Sequence, residues 1–223
     1  MFADRRDAGR QLARRVAALA LVDPVVLALP RGGVPVAIEV ATMLHAPLDL
    51  LLVRKIGAPG QRELAVAAVT DGLDHIVIND ETFFASGATR EYVEREALAQ
   101  RREIARRRSA WLHGRAPLPV HGRTAIVVDD GIATGTTLRA ALDALRQREP
   151  ARVIVAVPVA PREEAAALRA EGHELVCLLE PTPFEAVGAH YADFEQLSDA
   201  DVTSALAGMA PVPSPNRGAT RPA

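Results

Sequence analysis

The sequence predicts an α/β fold in which a mostly parallel sheet has helices on both faces. Two observations predict it: short, continuous apolar runs recur along the chain, and segments with helical periodicity alternate with them. Continuous apolar runs are typical of strands buried on both faces. Regular alternation of strand and helix favours parallel pairing. With 49% hydrophobic residues in 223, the chain can bury a sizeable core.

The elements of the main sheet follow from these runs in chain order. The predicted strands are residues 25–29, 48–53, 125–128, 153–157 and 175–179. An opening amphipathic helix has Leu12, Val16 and Leu19 at i, i+4 and i+7, and further helices are predicted at 35–44, 138–145 and 162–169. Ligands of parallel sheets bind beyond the carboxyl ends of the strands. The loops after residues 29, 53 and 128 are therefore predicted to share one site.

The middle of the chain, about 57–115, is predicted to hold a flap and a long inserted helix. Short strands are predicted at 65–69 and 76–78, and residues 57–63 have the composition of a mobile loop. A polar helix is predicted at 89–108, with glutamates interspersed among its arginines. The arginines of its second half are Arg101, Arg102, Arg106, Arg107 and Arg108. This mixture favours a solvated face with i,i+4 ion pairs over a phosphate- or RNA-binding surface.

Composition and charge exclude several classes of protein. The 26 basic and 28 acidic residues give a net charge of −2, so no global field attracts nucleic acid or an anionic membrane. The single cysteine, Cys177, excludes an intramolecular disulfide framework and is predicted to be a buried, inert thiol. No secretory signal or membrane-spanning run is present, which predicts a cytoplasmic protein. We expect one domain over residues 1–209 and a disordered, proline-rich tail at 210–223.

The segment AIVVDDGIATGTT, residues 125–137, is predicted to bind hydroxyl groups and a phosphate. Its apolar run ends in two adjacent carboxylates, Asp129 and Asp130, and continues through small and hydroxylated residues into a helix. Backbone N–H groups at such a helix N-terminus suit a phosphate. The carboxylates can accept hydrogen bonds from a diol or share a divalent cation through water. A simple helix cap needs only one such residue.

This segment resembles the phosphoribosyl-pyrophosphate (PRPP) signature of type I phosphoribosyltransferases, in which an apolar run and two acids precede T-G-x-T. The resemblance implies Mg²⁺-dependent transfer of the 5-phosphoribosyl group of PRPP to a nitrogenous base, with release of pyrophosphate. It implies that Asp129 and Asp130 hold the ribose hydroxyls and contact Mg²⁺ through water and PRPP. The other PRPP-binding positions that it implies here are Gly131, Ala133, Thr134, Gly135, Thr136 and Thr137.

Two further segments resemble the pyrophosphate side of the family's site. In the loop 30–33, glycines let the backbone approach a bulky anion, and Arg31 offers a planar fork. Family members often have a cis or strained peptide here, which concerns the bond between Pro30 and Arg31. Arg54 and Lys55 end the second predicted strand, where relatives place basic residues near pyrophosphate; a surface charge is the open alternative. The implied catalytic residues are Asp129, Asp130, Arg31 and Lys55, and Gly32 and Gly33 join the PRPP-binding set.

The acceptor is less determined than the donor. Residues 183–194, within a candidate hood at 180–197, loosely resemble the hood over the base in 6-oxopurine enzymes. The base-binding candidates are Phe184, Val187 and Asp193, with Gly188 beside them. Ordinary packing would explain these aromatic residues equally well. Ala133 stands where hypoxanthine-guanine enzymes carry an aspartate, and it is similar to the adenine and orotate enzymes instead. A purine-type acceptor is favoured, with its general base unassigned.

Three functions from different classes are open at this point. The favoured one is a phosphoribosyltransferase whose partners are PRPP and a nitrogenous base, with a homodimer possible by analogy. The second is a PRPP- or nucleotide-sensing regulator with little or no transfer activity. The third is an unrelated α/β nucleotide binder, which neither a G-x-G-x-x-G nor a G-x-x-x-x-G-K-[ST] pattern supports. The retained acids, Arg31 and Lys55 favour the enzyme.

Overall fold

The computed structural model describes residues 1–72 and 75–208 and contains two sheets. In chain order the elements are α1 (Arg5–Ala17), β1 (Pro24–Ala28), α2 (Gly33–Leu44), β2 (Leu48–Leu50), β3 (Val53–Ala58), β4 (Gln61–Thr70), β5 (Val77–Ile78), α3 (Asp80–Ala85), α4 (Arg90–Leu112), β6 (Thr124–Val128), α5 (Thr136–Arg146), β7 (Arg152–Val159), α6 (Arg162–Ala170), β8 (Glu174–Leu179), a 3₁₀ turn (Val187–His190) and α7 (Asp199–Ala207). The main sheet has the order β2-β1-β6-β7-β8, and all its pairs are parallel.

Alternate residues of the central strands face two separate hydrophobic clusters. In β1, Val26 and Ala28 belong to the cluster that contains side chains of α1 and α2. Val25 and Leu27 belong to the cluster that contains side chains of α5 and α6. All of these strand residues are fully buried. The predicted fold class, a mostly parallel sheet with helices on both faces, is therefore confirmed.

Residues 53–112, called the inserted region below, form a smaller antiparallel sheet with two helices. The sheet has the order β3-β4-β5. Helix α4 packs on it, since Val93 and Ala97 of α4 share a buried cluster with Ile56 of β3. Thr89 caps this helix by accepting a hydrogen bond from the N–H of Tyr92. Among the described residues, no helix is long and apolar enough to cross a membrane.

The second predicted strand, 48–53, is wrong as a single strand. β2 ends at Leu50, and the chain then leaves the main sheet and enters β3 at Val53. Arg54 and Lys55 consequently lie within β3 instead of at the end of a main-sheet strand. The predicted loop 57–63 is mostly paired: Ala58 pairs with Gln61, which leaves a short turn. The apolar run continues through a change of hydrogen-bonding partner, and no local pattern marks that change.

Other boundaries differ at the helices. The opening helix ends at Ala17, before the predicted Leu19, and α4 continues to Leu112. The solvated face predicted for α4 is correct for Arg106 and Arg107, which pair with Glu103, but wrong for Arg108, which is buried. Helices α3 and α7 were not predicted. The tail expected at 210–223 lies outside the described residues.

Candidate functional site

Two loops meet at the carboxyl end of the parallel sheet, one after β1 and one after β6. The strands pair along their length, and the N–H of Leu29 donates to the carbonyl of Val128 at 2.9 Å. A Cβ on Gly33 would lie 2.6 Å from that same carbonyl oxygen. A Cβ on Gly32 would fall on the carboxylate of Asp130. Glycine at both positions is therefore what allows the loops to touch.

The loop after β1 places an exposed arginine beside a helix N-terminus. The peptide bond between Pro30 and Arg31 is cis, as the resemblance implies. Helix α2 begins at Gly33, so its first N–H groups lie at this loop. The side chain of Arg31 is 40% exposed, and its guanidinium lies 3.5 Å from a carboxylate oxygen of Asp199. An exposed ion pair of this kind is weak, so an anion can replace Asp199 at little cost.

The two aspartates of the loop after β6 have different environments. Asp129 accepts the N–H of Asp130 at 2.9 Å. Burial, reinforced by the neighbouring Asp130 carboxylate, raises the pKa of Asp129 well above its ordinary value. Asp130 instead pairs with Arg5, whose Nε lies 2.8 Å from its Oδ2, and the two side chains are only 11% and 14% exposed. The charge of Asp130 is thus compensated by Arg5, while burial disfavours the charged form of Asp129.

Arg5 is a site residue that sequence reasoning missed. It begins α1, and besides Asp130 it donates to the carbonyl of Glu195 at 2.9 Å. Its guanidinium also lies 3.8 Å from the ring centroid of Phe194. One side chain therefore joins the N-terminus, the acidic loop and the hood. An arginine near a helix start is too common to signal such a contact.

The candidate hood packs directly on the acidic loop. The Tyr191 hydroxyl donates to the backbone carbonyl of Asp130 at 2.5 Å. Val187 covers Gly131, since a Cβ there would lie 2.5 Å from Val187 Cγ1. The hood is held by the N-terminus as well, because the N–H of Phe2 donates to a hood carbonyl at 2.8 Å.

The three base-binding candidates are not equivalent. Val187 lies against the acidic loop, as described above. Phe184 stacks on His190, with ring centroids 5.6 Å apart and planes at 20°. Asp193 is exposed and accepts the N–H of Glu195 at 3.3 Å. These contacts of Phe184 and Asp193 lie within the hood itself.

Residues 133–137 form an exposed turn into α5. Gly135 has φ +65°, and a Cβ there would fall on the Glu164 and Arg139 side chains. Thr134 and Thr136 bring their hydroxyl oxygens within 3.3 Å of each other. The residues of the turn that face solvent are Ala133, Thr134, Thr136 and Thr137. The first turn of α5 carries no acid, so its N–H groups and these hydroxyls can donate hydrogen bonds to an anion.

Arg139 supports the turn from the first half of α5. Its NH1 donates to the carbonyl of Thr134 at 3.3 Å and to Glu164 at 2.5 Å. Glu171 is a further partner, at 2.7 Å. Hydrogen bonds to Glu171 and Glu164 raise the pKa of Arg139, with partial burial opposing them. Arg139 therefore has a structural role, which is to stabilise the turn.

A small cavity of about 70 Å³ adjoins both loops. Its lining includes Pro30, Asp129 and Thr137 from the loops, together with Arg54 of β3. The Nε of Arg54 donates to Gln100 of α4 at 2.8 Å. Lys55 is the next residue of the strand and its side chain points to the opposite face of β3. The structure thus places Arg54, instead of the predicted Lys55, in the wall of this cavity.

Cys177 lies outside these loops and has no reactive character. It is half-buried in β8, and its thiol donates to the carbonyl of Leu179 at 3.1 Å. Burial raises its pKa to about 11, so almost no thiolate forms at neutral pH.

Comparison with known proteins identifies the family. The family model described as "Phosphoribosyl transferase domain" matches residues 6–193. The Mycobacterium tuberculosis H37Rv protein named "Putative phosphoribosyl transferase Rv0571c" is 46% identical over 210 residues, which is 92% of this chain and 46% of that protein; MT0597 of strain CDC 1551 matches equally. The chain thus spans about half the length of these curated relatives.

A solved structure is similar over nearly its whole length. The crystal structure of TT1426 from Thermus thermophilus has a TM-score of 0.83 and 46% identity, covering 92% of this chain and 97% of that one. The family match, the named relatives and the site geometry agree with the enzyme class that the sequence predicts. The chain therefore belongs to the phosphoribosyl transferase domain family.

Proposed function

We propose that this chain transfers the 5-phosphoribosyl group of PRPP to a nitrogenous base, with release of pyrophosphate. One observation carries the proposal: the adjacent acids, the exposed turn at 133–137 and the glycine loop at 32–33 adjoin one another at a single sheet edge. These three features suit the ribose hydroxyls, the 5′-phosphate and the pyrophosphate of one PRPP molecule.

The acids supply electrostatic stabilisation at the reacting carbon. Departure of pyrophosphate leaves positive charge on the ribose ring, and a nearby carboxylate lowers the energy of that state. Asp129 has one oxygen engaged by a backbone N–H, and Asp130 has one engaged by Arg5. Their other oxygens can accept the ribose hydroxyls. Burial and the neighbouring Asp130 carboxylate raise the pKa of Asp129, so a developing positive charge beside it is a favourable partner.

The turn into α5 positions the other end of the ribose. Its hydroxyls and N–H groups can donate to a 5′-phosphate, and the helix dipole favours the negative charge. Fixing both ends of the sugar presents its C1 to an incoming base in one orientation. Positioning of this kind accounts for a large share of rate enhancement in group transfer.

The donor set at this edge fits Mg²⁺ held largely by the substrate. Among residues 1–72 and 75–208, no group of three or more His, Cys, Asp or Glu side chains could hold a metal ion. Mg²⁺ usually keeps several waters and uses one or two carboxylates with substrate phosphates, for which Asp129 and Asp130 are suited. When bound, it would neutralise charge on the pyrophosphate group.

A purine-type base beneath the hood is the acceptor we favour. Val187 and Tyr191 hold the hood against the acidic loop, so a base bound at the edge of the hood would lie close to the ribose. Ala133 offers no carboxylate to take a proton from the base. A PRPP-sensing protein is the second candidate, because Arg5 already occupies one oxygen of Asp130.

The test combines PRPP binding with an acceptor screen. PRPP affinity is measured by calorimetry with Mg²⁺, and pyrophosphate release is scored with purines, pyrimidines and other amines. We expect binding, and release with at least one base. The double variant Asp129→Asn/Asp130→Asn should lose both, by at least about 100-fold, and keep its circular dichroism spectrum. Unchanged PRPP affinity in that variant would contradict the site; binding without release across the screen would support the sensor.

A further inference from the structure

The inserted helix α4 reaches the cavity beside the two loops. Ile104 and Arg107 both line it, together with Pro30 and Asp129. Residues three apart lie on the same side of a helix. One face of the second half of α4 is therefore directed at the loops that the main sheet supplies.

A second contact between α4 and the loop after β1 is made through α7. Asp199 lies 3.5 Å from Arg31 and 4.0 Å from Arg106, so a single carboxylate links the loop to the helix. This linkage is independent of the cavity lining. Both observations place the arginine-rich end of α4 at the side of the site where Arg31 stands.

The contacts of Arg107 leave part of its guanidinium unused. Its Nε donates to Glu103 at 2.7 Å, and its guanidinium carbon lies over the ring of Trp111, 5.4 Å from the ring centroid. Among the described residues, no hydrogen bond engages its two terminal nitrogens. The side chain is 28% exposed and lines the cavity, so its terminal nitrogens can donate to a ligand there.

Arg106, the adjacent residue, is held differently. Both its Nε and its NH2 donate to Glu103, at 2.7 and 3.0 Å. It is 55% exposed and is not part of the cavity wall. Both arginines pair with Glu103, but Arg107 lines the cavity and Arg106 does not.

The same helix face also positions a second cation. Gln100, which holds Arg54, and Glu103, which holds Arg107, are separated by less than one helical turn. Arg31 lies in the loop after β1, next to Pro30 of the cavity wall. Arg54 of a strand and Arg107 of a helix thus line one small cavity, and Arg31 lies in the loop beside it. A guanidinium group can bind phosphate oxygens in pairs.

We propose that Arg107 of α4 is a pyrophosphate-binding residue, which contacts the diphosphate of PRPP and the leaving group together with Arg31 and Arg54. This inference rests on the proposed function of the site. It gives the inserted helix a direct role in binding the donor.

The experiment compares Arg107→Met with Arg106→Met as the matched control. Calorimetry with Mg²⁺ measures the affinities for PRPP, for inorganic pyrophosphate and for ribose 5-phosphate, which lacks the diphosphate. Arg107→Met should weaken PRPP and pyrophosphate about 10-fold or more, because charge-assisted hydrogen bonds are lost, and leave ribose 5-phosphate unchanged. Arg106→Met should leave all three affinities within about 2-fold. Arg107→Lys should give an intermediate loss.

The possible results distinguish the role of Arg107 from the proposed phosphoribosyl transfer on which it rests. Wild-type PRPP affinity in Arg107→Met, or an equal loss for ribose 5-phosphate, would overturn the role of Arg107 while leaving the proposed function in place. A wild-type protein that binds neither PRPP nor pyrophosphate would overturn both. Thermal unfolding of each variant confirms that a loss of affinity is not a loss of fold.

Discussion

The stretch from β6 into α5 and the inserted region contribute to one site in opposite ways. Within residues 124–137 a fully buried strand, two acids and a helix N-terminus follow one another directly. The inserted region contributes Arg54 and Arg107, which lie far apart in sequence and line the same cavity because α4 packs on β3. In the proposed function, a local motif therefore binds the sugar of the donor, and residues brought together by tertiary packing bind its diphosphate.

The two regions also differ in how they are held. β6 lies in the middle of the main sheet with every residue buried. The inserted region is joined to the sheet edge by an ionic network: Arg108 of α4 pairs with Asp71 and, at 3.1 Å, with Asp49 of β2. Asp49 is 1% exposed and also accepts the N–H of Leu118 at 2.7 Å.

The largest expected effect comes from breaking that network with Arg108→Met. The change leaves the buried charge of Asp49 without its main partner, which costs about 3–5 kcal/mol of unfolding free energy. Arg106→Met, which breaks an exposed pair, should cost at most about 1 kcal/mol. Urea denaturation measures both. Similar losses in the two variants would show that the inserted region is not anchored in this way.

A smaller effect is expected from Arg5→Met. This variant tests whether residues 124–137 bind PRPP independently of the rest of the chain. Removing the cation leaves Asp130 without its charged hydrogen bond and the hood without its stacking contact on Phe194. We expect PRPP affinity to fall about 10-fold. Arg6→Met, next in sequence, is the control, because within the described part of the chain it removes only a pair with Glu39 at 3.6 Å. Tighter PRPP binding in Arg5→Met would instead identify Arg5 as a competitor of the substrate.

The smallest expected effect is on the stability of the folded protein, which the burial of Asp129 lowers. Because the folded state raises the pKa of Asp129, the folded protein holds that proton more tightly than the unfolded chain does. Stability is therefore lost as pH rises above the ordinary aspartate pKa of about 4, and the loss is complete above the raised value. The variant Asp129→Asn, which has no carboxylate at this position, removes this pH-dependent loss of stability.

Thermal melts of Asp129→Asn and wild type measure this cost. The variant should melt a few degrees higher at pH 8, since 1 kcal/mol shifts Tm by roughly 2–4 °C in a chain of this size, and the advantage should shrink toward pH 4. A lower Tm in the variant, or a difference independent of pH, would show that the acid is not strained by burial. Asp130→Asn is a useful comparison, because Asp130 has Arg5 as a partner.

The sequence predicts the main sheet well because its strands are locally apolar and its turns carry recognisable chemistry. It fails where a residue's environment is made by distant parts of the chain. Residues 48–53 look like one strand, yet their partner changes midway. Arg107 and Arg108 are neighbours on a polar helix, yet one lines the cavity and the other is buried against Asp49.

By itself, the sequence determined the α/β class, the acidic pair and the turn that follows it, because hydrophobic periodicity and helix-terminus chemistry act over a few residues. Only the tertiary structure decided that Arg5 pairs with Asp130, that Arg54 instead of Lys55 lines the cavity, and that α4 reaches the site. Those contacts depend on which surfaces are buried together. Burial is a property of the whole packed chain, and a local pattern of residues does not encode it.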